Sequence, residues 1–193
     1  THVGRDDPAR AQCLSELDDQ ESGHAAAQDE DALAGLEARR HRYRTRSDTE
    51  TILHLYEDHG LACTDHLRGM FAFALWDARA RRLLLARDRF GKKPLVYALL
   101  LDALVFGSEL KAILQDPAVP RDVDRTAIHH YLTYGYVPSP WTAFRAIRKL
   151  PPASTLIWDA SRNCVSVERY WTLRYMPKQA IPFPEAVERT REL

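Results

Sequence analysis

Ser47-Asp48-Thr49-Glu50 sets two carboxylates just ahead of the apolar positions Ile52, Leu53, Leu55 and Tyr56. Ser47 is a good helix N-cap, and Glu50 three residues later fits a capping box, so both acids belong to a first helical turn. A carboxylate there can hold an ammonium group if a cleft opens beside it. Its ordinary role is to offset the partial positive charge of the helix N-terminus. A second concentration of charge, Arg87-Asp88-Arg89-Phe90-Gly91-Lys92-Lys93, reads by default as a solvated loop with ion pairs.

Candidate nucleophiles are poor. Cys13 falls in a leader without apolar periodicity, Cys63 follows the capped helix, and Cys164 falls in a hairpin turn. No base stands beside any of them in the sequence. A free N-terminal Thr1 could be activated by its own amine. Thr1-His2-Val3-Gly4 nevertheless leads into no expected strand, and we take Thr1 as a cut end. Adjacent His129 and His130 point to different helix faces, and His54, His59 and His66 lack zinc-ligand spacing, so no metal site is expected. A Gly-rich phosphate loop is missing from the pattern.

Composition narrows the partners. The formal net charge is zero over 193 residues, which gives no electrostatic case for nucleic acid or an anionic membrane surface. Three widely separated cysteines argue against a disulfide framework and for the reducing cytoplasm. The longest apolar run, Leu95 to Phe106, is broken by Asp102 and is too short to span a bilayer.

The elements that must position these residues are largely local. Residues 1–32 carry few large apolar side chains and are expected to be disordered or loosely helical. A helix is expected over Asp31–Arg39 and a short strand over His41–Thr45. The capped helix from Ser47 stops at Gly60. Met70–Trp76 is apolar on both faces, and Leu83–Ala86 returns as its antiparallel partner across Asp77–Arg81. Leu95–Leu100 and Leu104–Phe106 form a second hairpin. Ser108 caps a short helix over Glu109–Leu114, and Asp124 caps another that ends at Gly135. Pro138 and Pro140 exclude regular structure. Ser154–Trp158 pairs with Val165–Trp171, and a helix starts near Pro184 after a linker-like stretch.

These segments resemble the glutamine-hydrolysing asparagine synthetase family. The resemblance is carried by Ser47–Glu50, Arg68–Asp77, Ala86–Leu95, Phe106–Lys111 and Gly135–Pro140 with Ile147–Pro152, collinear and sensibly spaced. It implies a class II glutamine amidotransferase domain of the N-terminal-nucleophile type. The implied fold class is α+β: two stacked antiparallel sheets between helical layers (αββα), here incomplete. It further implies that Asp48 binds the α-amino group of glutamine and that Leu110 lies near an ammonia tunnel. No catalytic residue carries over, because the family's Cys-Gly-Ile terminus does not occur in this sequence. No cofactor is expected on this chain; ATP and Mg²⁺ belong to the synthetase domain of the family, whose full-length members are expected to form homodimers.

The expected organisation is a leader over 1–32, a partial amidotransferase domain over 33–171, and a linker with the first helix of a synthetase domain over 172–193. Both ends are expected to be cuts. The leading function is a piece of an asparagine synthetase-like amidotransferase with no activity alone. The alternative is a degenerate, non-catalytic interaction or regulatory module, and an unrelated α/β binding domain is the least favoured.

Overall fold

A computed structural model describes residues 2–4, 41, 43–45, 47–176, 178 and 180–192. Its strands are β1 (His2–Gly4), β2 (Ala72–Asp77), β3 (Arg82–Arg87), β4 (Val96–Leu99), β5 (Ala103–Gly107), β6 (Arg148–Lys149), β7 (Ser154–Asp159) and β8 (Cys164–Arg169). They form two antiparallel sheets, ordered β1-β5-β4-β6 and β2-β3-β7-β8. The helices are α1 (Asp48–His59), α2 (Leu110–Ile113), α3 (Arg125–Tyr134) and α4 (Phe183–Arg191), with a 3₁₀ segment at Gly60–His66.

Alternation along the strands builds the layers. Ala74 and Trp76 of β2, Leu83 and Leu85 of β3, and Leu156 and Trp158 of β7 face Leu104 and Phe106 of β5 in one buried cluster between the sheets. The intervening residues Phe73, Leu75, Leu84 and Ala86 turn outward and pack under Ile52 and Leu55 of α1. Val96, Ala98 and Val105, outward on the other sheet, pack against Ile113 of α2, Val119 and Ile147. The result is the αββα sandwich expected from two-faced apolar strands, which need a facing sheet and a covering helix.

From β2 onward the chain crosses between sheets twice, after β3 through residues 88–95 and after β6 through residues 150–153. At the other end of the strands, Asn163 in the β7–β8 turn, at φ 49°, donates from Nδ2 to Leu100 O and Leu101 O of the β4–β5 turn. The Trp158 indole donates to Asn163 Oδ1 at 2.9 Å, completing a polar stitch between the two layers.

Several local expectations change. His2–Gly4 is a strand paired with β5, where no strand was expected, and β6 is a two-residue pairing too short to carry a pattern. Of the strand expected over 41–45, His41 and Tyr43 lie outside regular structure and Arg44-Thr45 is a bend. Its amides are taken by the Glu50 side chain, which competes with a sheet ladder. Glu109, not Ser108, occupies the N-cap position of α2, with no side-chain cap bond. Trp171 lies beyond β8. The helix expected at 31–39 falls outside the described residues. The helix capped by Asp124 forms as expected, its Oδ1 accepting from Thr126 N and Ala127 N.

Candidate functional site

Asp48 is the first residue of α1 and is half-buried. Ser47 in extended conformation accepts from Thr49 N–H at 3.2 Å, fixing where the helix begins and therefore where the Asp48 carboxylate emerges. The expected capping box takes a different form. Glu50 reaches past Ser47 and accepts from Arg44 N and Thr45 N, both at 2.7 Å, and from Thr45 Oγ1. The Thr45 hydroxyl and these amides hold the Glu50 carboxyl down at about 2. The segment before α1 is thus folded back onto the helix that carries Asp48.

Further along α1, Tyr56 donates to Asp77 Oδ2 at 2.9 Å, tying the helix to the end of β2. Burial, reinforced by that bond to a carboxylate, pushes the Tyr56 phenol up. Asp77 also accepts from Arg79 N and Ala80 N through Oδ1, closing the β2–β3 turn. Leu110 opens α2, partly buried against the outer face of the other sheet. Asp48 and Leu110 therefore sit in opposite outer layers of the sandwich, and the structure does not bring them together.

The charged loop after β3 is not the solvated segment expected from its composition. The Asp88 side chain is buried and accepts from Phe90 N and Lys92 N on Oδ1 and Lys93 N on Oδ2. Arg87 donates to Lys93 O, Leu150 O and Gly91 O. Burial holds the guanidinium below its usual range, partly offset by neighbouring Asp88. Gly91 adopts φ +63°, and a Cβ there would stand 2.8 Å from Pro152 Cγ. Arg89 and Phe90 reach outward to Trp171, with the guanidinium carbon 5.7 Å from the ring centroid and the Phe90 ring edge-on at 5.4 Å. In this motif the charge builds a crossover.

The cysteines separate. Cys63 is fully buried beneath α1, and burial pushes its thiol up to about 12. Cys164 is exposed on β8. Cys13 lies outside the described residues. Histidines are where sequence reasoning missed most: the His41 and His54 rings meet tilted by 39° with centroids 4.4 Å apart, beside Glu57. The only sequence trace of that cluster is the His54/Glu57 spacing, which puts both on one face of α1.

A family model described as "Glutamine amidotransferase domain" matches residues 30–171. Among curated proteins, the chain is similar to asparagine synthetase [glutamine-hydrolyzing] 3 of Bacillus subtilis, 38% identical over 165 residues, covering 85% of this chain and 26% of that protein. It is also similar to the putative asparagine synthetase [glutamine-hydrolyzing] 2 of Methanocaldococcus jannaschii, 33% identical over 131 residues, covering 67% and 25%. The chain spans about a quarter of the length of these relatives. Among solved structures, glutamine phosphoribosylpyrophosphate amidotransferase from B. subtilis, in complex with ADP and GMP, matches with a TM-score of 0.50 at 21% identity. That match covers 74% of this chain and 27% of that one and supports the fold. Among the described residues, no helix is long and apolar enough to cross a membrane.

Proposed function

The chain belongs to the class II glutamine amidotransferase domain family, and from that premise we propose that it is the glutamine-binding side of an asparagine synthetase-like enzyme, with Asp48 receiving the α-ammonium of glutamine. The observation that carries this reading is the capped start of α1. Ser47 and Glu50 hold that turn rigidly and leave the Asp48 carboxylate half-exposed at its end. A charge-assisted contact from an ammonium group to such a carboxylate is worth roughly twice a neutral hydrogen bond. In the wider enzyme, ammonia freed from glutamine would pass to a synthetase domain. There ATP and Mg²⁺ would activate aspartate or a related carboxylate for amidation. Glutamine is the one small-molecule ligand assigned to these residues.

On this reading the 193-residue chain alone hydrolyses no glutamine. The resemblance implies an N-terminal cysteine thiolate as the nucleophile for this chemistry. Cys63 is sealed in the core with its thiol raised, and Cys164, exposed on β8, has no hydrogen-bonded base among the described residues. The test is calorimetric titration with glutamine beside an assay for released glutamate, on the chain and on Asp48→Ala. Glutamine binding that Asp48→Ala abolishes, with no glutamate released, is the expected result. Glutamate release that Asp48→Ala abolishes overturns the inactivity, and binding indifferent to Asp48→Ala overturns its role.

One observation favours the alternative, a non-catalytic interaction module. Helix α3 buries only Ala127 and exposes Tyr131, Leu132 and Tyr134, with Leu132 78% exposed. Failure of the chain to bind glutamine at all would favour that second reading.

A further inference from the structure

The pair formed by His41, ahead of α1, and His54, within it, is electrostatically unresolved, because each ring lies between two carboxylates. His41 Nε2 is 3.0 Å from Asp58 Oδ1, and its Nδ1 is 3.6 Å from Glu57 Oε2. His54 Nδ1 is 2.9 Å from the same Glu57 oxygen, and its Nε2 is 3.7 Å from Glu50 Oε1, buried and without a hydrogen-bond partner. A neutral imidazole carries one N–H and one lone pair, so it can donate to only one of its two acids. Either tautomer of His54 therefore aims a lone pair at an anion. Protonating both rings would answer this only by stacking two cations with centroids 4.4 Å apart.

We propose that His41 Nδ1, His54 Nδ1 and Glu57 Oε2 form a binding site for a divalent transition-metal ion of the Zn²⁺ class. One such ion removes the conflict around Glu57. Both Nδ1 lone pairs and the Glu57 oxygen face the cation, while both Nε2–H groups face outward, His41 to Asp58 and His54 to Glu50. A ligating histidine characteristically donates its other ring nitrogen to a carboxylate, as His41 Nε2 can to Asp58 at 3.0 Å, while His54 Nε2 stands 3.7 Å from Glu50. His41, His54 and Glu57 each offer one ligand atom within 4.8 Å of the other two. Tetrahedral zinc with bonds of ~2.0–2.1 Å needs ligand atoms about 3.3 Å apart. The separations of 2.9 and 3.6 Å to Glu57 lie within a few tenths of an ångström of that value.

Donor chemistry and access agree. Two imidazoles and one carboxylate suit Zn²⁺ or its neighbours, whereas Mg²⁺ and Ca²⁺ prefer oxygen ligands alone. The histidine side chains are 17% and 16% exposed while Glu57 is 62% exposed, so the cluster opens to solvent on one side, where water completes the coordination. Tyr43 packs edge-on to His54 with ring centroids 5.1 Å apart. Glu50, by gripping Arg44 N and Thr45 N, fixes the segment that delivers His41. A bound ion would clip that segment to α1 immediately before Asp48, independently of whether glutamine binds there.

The test is titration of untagged chain with Zn²⁺ by calorimetry, with Co²⁺ as the spectroscopic probe of geometry. We expect one Zn²⁺ per chain, tetrahedral-type Co²⁺ absorption, and affinity reduced tenfold or more in each of His41→Gln, His54→Gln and Glu57→Gln. Asp58→Asn should weaken binding by ~10-fold through the His41 ring. Glu57 is exposed, so Glu57→Gln leaves the fold intact by circular dichroism. Glu188→Gln, on exposed α4, should leave affinity unchanged. Absence of Zn²⁺ binding, or equal affinity in the wild type and Glu57→Gln, overturns the site.

Discussion

Neighbouring Arg87 and Asp88 seize the two ends of one residue: Arg87 Nε donates to Lys93 O at 2.7 Å while Lys93 N–H donates to Asp88 Oδ2 at 2.9 Å. Asp88 takes up the amides of the crossing from β3 to β4, and Arg87 takes up its carbonyls together with Leu150 O of the crossing from β6 to β7. Tyr170 adds a hydrogen bond to Arg87 O at 2.9 Å, and Asp88 O accepts from Ala153 N. Two opposite charges adjacent in sequence thus join the two passages of the chain that flank β4–β6.

Asp88→Ala should cost roughly 3–5 kcal/mol, because three amide donors are left without a partner in a buried site. Arg87→Lys should cost about 2 kcal/mol, since an ammonium cannot reproduce three diverging guanidinium bonds. Urea denaturation at neutral pH reads both, and a loss below about 1 kcal/mol for Asp88→Ala would contradict the assignment.

Gly91→Ala tests the same crossing through shape. The new Cβ would lie 2.8 Å from Pro152 Cγ and 3.2 Å from Arg87 Cζ, at a φ of +63° that L-residues rarely adopt. The expected destabilisation is roughly 1–3 kcal/mol. A thermal midpoint unchanged from the wild type would show that the loop relaxes freely.

Glu50 sets an acid limb. Its carboxyl lies at about 2 in the folded chain against 4.5 as the ordinary value. The depressed folded value means that its contribution is complete above about pH 4.5 and fades as pH falls toward about 2. Glu50→Gln should therefore reduce stability at neutral pH and flatten the pH dependence in that window. Parallel curves for the two proteins between those limits would count against it.

Cys63 and Cys164 should differ sharply toward iodoacetamide. With its thiol at about 12, Cys63 is thiolate in roughly one molecule in ten thousand at pH 8, and it is buried. Mass spectrometry should find Cys164 alkylated in the native chain and Cys63 alkylated only after unfolding. Prompt native labelling of Cys63 would show that α1 does not cover it.

Asn163→Ala should cost about 2–3 kcal/mol by removing the acceptor of the Trp158 indole and the donor to the β4–β5 turn, in a residue at φ 49°. Trp158 fluorescence reports it directly, and an unshifted emission maximum in the folded variant would sink the assigned hydrogen bond.

Sequence by itself determined the parts whose physics is local. Ser47 and Gly60 bound α1, Asp124 and Gly135 bound α3, and apolar residues on both faces of Met70–Trp76 required cover on both strand faces. The motif order also pointed to the family before any layer was visible. Tertiary structure alone decided what the charged residues do. The partner of Arg87 at Leu150 is 63 positions away, the ring contact of His41 with His54 depends on a bend held by Glu50, and β1 and β6 exist only as additions to β5 and β4. Caps and alternation act within a turn or two and leave a mark in residue order. A buried charge is assigned its partners by where distant segments cross, and residue order carries no trace of that.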